Sequence, residues 1–180
     1  MNFVRLNKKI SITDYAATTF QTQYGNTVGD RFYGIQYHLP AVGSELEQVW
    51  SMIPERYRKD FFLNLMTVNS RIPPHTDSKI NITINIYIKT AECTTQFYRV
   101  LREAATTKIA NQTNGAIFDP RCLEFVDEFF AEPGEVWMLD VTQPHSVISS
   151  QSVDRVALCV QTNSYSFDEV VEMLTETGWI

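Results

Sequence analysis

From Ile80 to Ile88 every second residue is isoleucine, with Asn81, Thr83, Asn85 and Tyr87 between. A period of two is the repeat of a β-strand, whose successive side chains leave on opposite faces. Isoleucine, branched at Cβ, also sits better on a pleated surface than in a helix. The segment is therefore a strand with one wholly apolar face, and that face requires a cover of other apolar side chains. Its polar face would ordinarily meet water.

Other runs read the same way. Residues 61–68, 94–100, 124–130, 135–141, 145–149 and 155–162 are strand-like, with breakers at Asn69-Ser70, Asn114-Gly115, Asp119-Pro120 and Pro133-Gly134. The first forty residues mix β-branched and aromatic residues with turn signals at Gly25-Asn26 and Gly29-Asp30, which suggests short strands and loops. Helices are expected in three places. Ser44-Glu45-Leu46-Glu47 is a capping-box pattern leading to an apolar face of Leu46, Val49, Trp50 and Ile53. Pro54 interrupts it, and residues 55–60 restart as a short helix. Residues 101–110 are helix-prone, and Ser166-Phe167-Asp168-Glu169 is a second capping box opening a C-terminal helix of about 167–175. Many short strands with helices before and after imply a mainly β fold with flanking α-helices, a barrel or sandwich of cupin type. No repeat, charge block or linker divides the 180 residues. We read one domain over 1–180, with a β core of about 61–162 and a helical or irregular N-terminal third.

Composition narrows the function. Hydrophobic residues make up 44% and aromatics 12%, enough to build a core of ordinary size. The formal charge of −6 provides no basic footprint for a phosphate backbone, so a nucleic-acid partner is not expected. Cys93, Cys122 and Cys159 are odd in number and form no CxxC, which suits reduced structural thiols in a cytoplasmic setting. The start has no apolar signal core and no run reaches membrane-spanning length, so a soluble protein without a membrane partner is expected.

The chemistry concentrates in four residues. His75 and Asp77 lie in Pro73-Pro74-His75-Thr76-Asp77, His145 in Pro144-His145-Ser146, and Arg155 ten positions further on. Two of the chain's three histidines thus stand in one pattern, both beside strand-like runs. Two imidazoles and a carboxylate are the set that holds non-haem Fe(II) on one face, leaving other positions open. A guanidinium can grip a carboxylate by two parallel hydrogen bonds. In His-x-Asp, a long gap, His, then Arg about ten residues on, the chain resembles the Fe(II)/2-oxoglutarate-dependent oxygenases over residues 61–162.

The resemblance implies a double-stranded β-helix, a jelly-roll, with His75, Asp77 and His145 as iron ligands and Arg155 on the far carboxylate of 2-oxoglutarate. It implies that the isoleucine face of 80–88 packs under helices while Asn, Thr and Tyr line the barrel mouth. With O2 as second co-substrate, the reaction expected is hydroxylation of a C–H bond with release of succinate and CO2. Retention of Asp77 argues against halogenation. An amino acid, a peptide or protein side chain, or another small molecule would be the substrate. Several branches carry Tyr nine residues before the motif histidine, Gly six before it, and some Asn eleven before it. The matching positions are Met66, Asn69 and Asn64. Met66 departs from the pattern, so co-substrate binding is expected to fall on Asn64, Asn85, Tyr87 and Thr83. Gln96-Phe97-Tyr98-Arg99 lies where relatives place a Thr-x-Phe strand beside the metal. Tyr98 or Phe97 could then shape the pocket or belong to the core, and Arg71 and Arg99 could meet an anionic substrate or simply be solvated. Trp137 and Leu139 read as core, His38 as structural or substrate-facing, and Trp179-Ile180 as a docked tail or an interface. Two other classes stay open: a non-catalytic metal-binding β-helix module, and a cupin-type metalloenzyme that does not use 2-oxoglutarate.

Overall fold

The structure is a computed structural model. It describes the chain apart from residues 14–16, 23–26, 29–30, 33–34, 41–44, 69–70, 78, 102–106, 109–114 and 149–153, and apart from the side chains of 17–22, 27–28, 31–32, 35–36, 38–40 and 107–108. The strands are β1 (Phe3–Arg5), β2 (Ala17–Thr22), β3 (Thr27–Val28), β4 (Arg31–Phe32) and β5 (Ile35–Pro40), then β6 (Phe62–Val68) and β7 (Ile72–His75). They continue as β8 (Ile82–Lys89), β9 (Thr94–Val100), β10 (Thr107–Lys108), β11 (Ala116–Ile117) and β12 (Leu123–Phe130). The last are β13 (Val136–Asp140), β14 (His145–Ile148) and β15 (Arg155–Thr162). Helix α1 is Glu45–Trp50 and α2 is Phe167–Glu176.

Two antiparallel sheets face each other. The larger runs β1-β13-β8-β15-β6-β5-β2 and the smaller β10-β11-β7-β14-β9-β12. Sequence neighbours repeatedly fall in opposite sheets, which is the winding of a jelly-roll, and the protein has a cupin-like β fold with helical padding. The isoleucine strand shows why. Ile82, Ile84 and Ile86 join Val136, Met138, Leu158 and Val160 on one face of the larger sheet. Val49, Met52 and Ile53 at the end of α1, with Val170 and Leu174 of α2, cover that face. Burying each such side chain is worth roughly 1.5–3 kcal/mol. The opposite face carries Thr83, Asn85 and Tyr87, and it is buried too, turned toward the smaller sheet. Water is therefore not what these polar groups meet. β15 is an inner strand of the larger sheet, paired with β8 and β6, and all eight of its residues are buried.

Both ends of α2 are fixed locally. Ser166 accepts from the Glu169 N–H, and the Glu169 carboxylate accepts from the Ser166 N–H, closing the expected capping box. Trp179 is buried in the core under the helices, and its carbonyl accepts from Asn7 N–H, so the tail is docked. Residues 55–60 form a 3-10 turn after Pro54, as read.

In the N-terminal third, β1 extends one edge of the larger sheet, and β5 and β2 extend the other. Within 101–110, Thr107–Lys108 is strand rather than helix, because antiparallel pairing with β11 overrides local propensity. The Ser44 cap and the turns at Gly25-Asn26, Gly29-Asp30 and Asn69-Ser70 lie outside the described residues. The turn between β8 and β9 had no glycine to announce it. Ala91 and Glu92 both take φ +51°, a left-handed conformation that ordinary residues adopt at a cost.

Candidate active site

Both motif histidines are aimed by the same short device. In Pro73-Pro74-His75 and Gln143-Pro144-His145 a proline fixes the backbone extended, so the carbonyl two residues before each histidine meets its ring. His75 Nδ1 lies 2.9 Å from the Pro73 carbonyl, and His145 Nδ1 lies 2.9 Å from the Gln143 carbonyl. A carbonyl can only accept, so each Nδ1 carries the hydrogen and Nε2 is the atom each ring turns toward the group. This backbone anchoring is what metal-binding histidines characteristically have. β7 and β14 pair with His75 opposite His145, bringing the rings to 4.3 Å between centroids.

Asp77 completes the group from just past the end of β7. Its N–H donates to the Val141 carbonyl, and its Oδ1 stands 3.4 Å from His75 Nε2. One ligand atom from each of the three residues lies within 4.8 Å of the others. The imidazoles are 6% exposed and the Asp77 side chain 22%. Their titrations are pulled apart. Burial lowers the His75 pKa, but the Asp77 hydrogen bond and charge, aided by backbone carbonyls, outweigh it and hold it above the ordinary value. Burial, with the nearby charge of His75, pushes His145 down to about 4. Burial works against the Asp77 carboxylate, yet the two imidazoles keep its pKa below the usual range. The arrangement is a buried anion with two nitrogen donors, ready to exchange a proton for a cation.

The group opens into a small cavity of about 50 Å³. Arg155 lines it as well. The guanidinium is 3% exposed. Nη2 donates to Tyr87 Oη at 2.6 Å and Thr95 Oγ1 at 2.9 Å, and Cζ stands 4.7 Å from the Tyr87 ring centroid. Nη1 is buried without a partner, and no carboxylate pairs with Arg155 among the described residues. Tyr87 Oη already accepts from Arg155 and from Asn85 Nδ2 at 3.4 Å, and Thr95 Oγ1 accepts from Arg155. Each hydroxyl is thus left with a hydrogen to donate. A buried cation and two hydroxyl donors with nothing to receive them make an anion site.

The remaining sequence candidates divide. Thr83 and Asn85 line the cavity, joined by a 2.8 Å bond from Thr83 Oγ1 to Asn85 Oδ1. Tyr87 stands behind Arg155. Asn64 is turned to Gln161, donating to its Oε1 at 2.7 Å, and lies opposite Cys159, four residues along β15 from Arg155. Neither Tyr87 nor Asn64 is among the residues lining the cavity, and three further candidates lie away from it. Tyr98 projects from the outer face of the smaller sheet, bonded to Gln96 and Ser146, because strand parity places Thr95 and Phe97 inward instead. Arg99 pairs with Glu124 at the surface, and Arg71 is exposed. Trp137 stacks on Phe129, Leu139 lines the cavity, and the side chain of His38 lies outside the described residues.

Three cavity residues escaped the sequence reading. Thr95 could have been found: Thr95-x-Phe97 is itself a Thr-x-Phe, one register before the stretch that drew attention. Phe97 stacks with His145 at 5.7 Å. Tyr37 enters from β5, directly opposite Met66, so a phenol does reach the cavity from the neighbouring strand. Burial, then the Asp77 charge, raises its pKa well above the ordinary value. Gln161 lines the wall from the end of β15. Neither carried a local signal.

No protein-family model and no curated sequence matches this chain. Among solved structures, ycfD of E. coli is similar at 13% identity over 71% of this chain and 32% of that one, with TM-score 0.44. The vicilin of hazelnut, Corylus avellana, is 14% identical over 72% of this chain and 28% of that one, with TM-score 0.39. HygX of Streptomyces hygroscopicus, solved with nickel and 2-oxoglutarate bound, is 12% identical over 80% and 76%, with TM-score 0.37. The chain spans less than a third of the first two. With every score below 0.5, these likenesses carry no argument about the site, which stands on its own residues. No helix among the described residues is long and apolar enough to cross a membrane.

Proposed function

We propose that this protein is an Fe(II)- and 2-oxoglutarate-dependent dioxygenase that hydroxylates a C–H bond of a small molecule, amino acid, or peptide or protein side chain. The observation that carries the reading is Arg155: a buried guanidinium with an orphaned Nη1, set in the same cavity as two Nδ1-anchored histidines and Asp77. The residues fit the groups they would hold. Nε2 of His75, Nε2 of His145 and an Asp77 oxygen are the donor set for ferrous iron. Thr95, which receives Arg155, pairs with Val147, two residues beyond His145, or about 7 Å along the strand. A five-carbon diacid suits that offset, since four C–C bonds of about 1.5 Å zigzag to roughly 5 Å between its end carbons.

Iron, 2-oxoglutarate and O2 together supply the oxidation, with succinate and CO2 released. The chain supplies the rest. Arg155 and Thr95 grip the far carboxylate while Tyr87 holds the guanidinium from behind, the proline-anchored imidazoles hold their nitrogens in place, and Met66, Val68, Ile72, Leu139 and Val147 keep the cavity wall apolar. Three buried free cysteines support a reducing, cytoplasmic setting, and the acidic balance favours a substrate other than nucleic acid.

Anaerobic addition of Fe(II) and then 2-oxoglutarate to metal-free protein tests the reading. A saturable visible charge-transfer band, absent in His75→Ala and weakened in 2-oxoglutarate affinity by Arg155→Ala, is expected. Metal binding without any such band would remove the oxygenase reading and leave a metal-binding module.

A further inference from the structure

The cavity has a second polar pole that the anion site does not use. Asp77 N–H donates to Val141, Val141 N–H to Asn81, and Asn81 N–H to the Thr162 carbonyl. Three backbone bonds thus link Asp77 across to the end of β15, where Gln161 stands six residues, or about 20 Å of strand, from the Cα of Arg155. There Gln161 is 2% exposed yet lines the cavity, with Thr83 paired opposite it on β8. Gln161 Oε1 accepts from Asn64 Nδ2, and neither Gln161 Nε2 nor Asn64 Oδ1 has another partner among the described residues. Exchanging oxygen and nitrogen in both amides changes which residue offers which atom, but not the result. Two joined amides always leave one N–H donor group and one carbonyl acceptor side by side.

We infer that Gln161 and Asn64 are the specificity-determining pair for the prime substrate and that they receive a neutral carboxamide. This rests on the proposed function. A carboxamide answers the pair with its own carbonyl and N–H. A carboxylate there would find one donor and no cation, since Arg155 is at the other pole, and it would lie near Asp77. An ammonium group would leave the Gln161 N–H unmet. Burying either charge in a wall of amides is opposed by its desolvation.

Ligand-observed NMR on metal-free protein, with glutarate saturating the Arg155 pole, compares propionamide, propionate and propylamine. Propionamide is expected to bind, with the two charged analogues at least tenfold weaker. Gln161→Leu should abolish the preference by weakening propionamide roughly tenfold. Gln161→Glu, which keeps the shape but removes the donor, should turn the preference toward propylamine. Thermal melts confirm that both variants fold. Equal binding of propionamide by wild type and Gln161→Leu overturns the inference, as does displacement of propionamide by glutarate or equal binding of propionate. Because this arm needs no metal, a missing charge-transfer band would sink the enzyme reading without touching the amide pair.

Discussion

Replacing Arg155 with methionine should make the ligand-free protein slightly more stable. For a buried, well-bonded arginine that is the unusual sign. A buried charge left without its partner costs about 3–5 kcal/mol. Against that stand two charge-assisted hydrogen bonds, to Tyr87 and Thr95, and the contact with the Tyr87 ring, together about 2–4 kcal/mol. Methionine removes both sides and fills the space with apolar atoms. The balance leaves the variant about 1 kcal/mol more stable, a rise in Tm of roughly 2–4 °C for a chain of this size. With 2-oxoglutarate at a hundred times its Kd, wild type gains about 2.7 kcal/mol and the variant nothing. Urea and thermal melts of metal-loaded protein, with and without the diacid, read both effects. A loss of 3 kcal/mol or more in the variant, with neither protein responding to the diacid, would mean that Arg155 is a structural cation and that the anion-site argument is wrong.

Metal binding should displace one proton, not two, near pH 6. His75 is held above its ordinary pKa and carries the exchangeable proton, whereas His145, at about 4, is already neutral. Affinity should therefore rise about tenfold per pH unit up to the His75 value and level off above it, as calorimetry in buffers of different ionisation heat would register; a two-proton slope at pH 6 contradicts the assignment. Glu135 predicts an acid limb of stability. Burial opposes its carboxylate, but bonds from the Glu132 N–H and the Trp137 indole, with Arg5 and Lys9 nearby, hold its pKa below the ordinary value. A depressed folded pKa contributes stability that is present above the unfolded value and lost as pH falls through the folded one. Glu135→Gln should therefore cost about 1–2 kcal/mol at neutral pH and flatten the decline below about pH 4.5 in urea melts. Finally, Glu92→Gly should raise stability by about 1 kcal/mol, because glycine takes φ +51° without strain. An unchanged or lower melting midpoint would count against a strained turn.

Local features were legible along the chain. The isoleucine alternation of β8, the Ser166 capping box, the break at Pro54 and the two Pro-His pairs each state a backbone conformation that neighbouring residues suffice to set. The cluster of His75, Asp77 and His145 was legible too, since its members announce themselves by spacing. For Tyr98 and Arg99 two readings stood open, and one cause kept the sequence from choosing between them. Nothing local says which face of β9 turns inward, and a shift of one residue exchanges the faces. Pairing of Phe97 with His145 and of Thr95 with Val147 decides it, and those partners lie some fifty residues away.

What the amino-acid order determined by itself is therefore the set of elements and the donors of one site, because both depend on contacts a few residues long. Only the tertiary structure decided that Tyr37 stands opposite Met66, that Arg155 has two hydroxyls and no carboxylate, and that Asn64 turns to Gln161 rather than to the anion site. These are facts of register between strands distant in sequence. Register is fixed by burial of the whole sheet at once, when the isoleucine face finds its helices and the polar face has nowhere to go but inward.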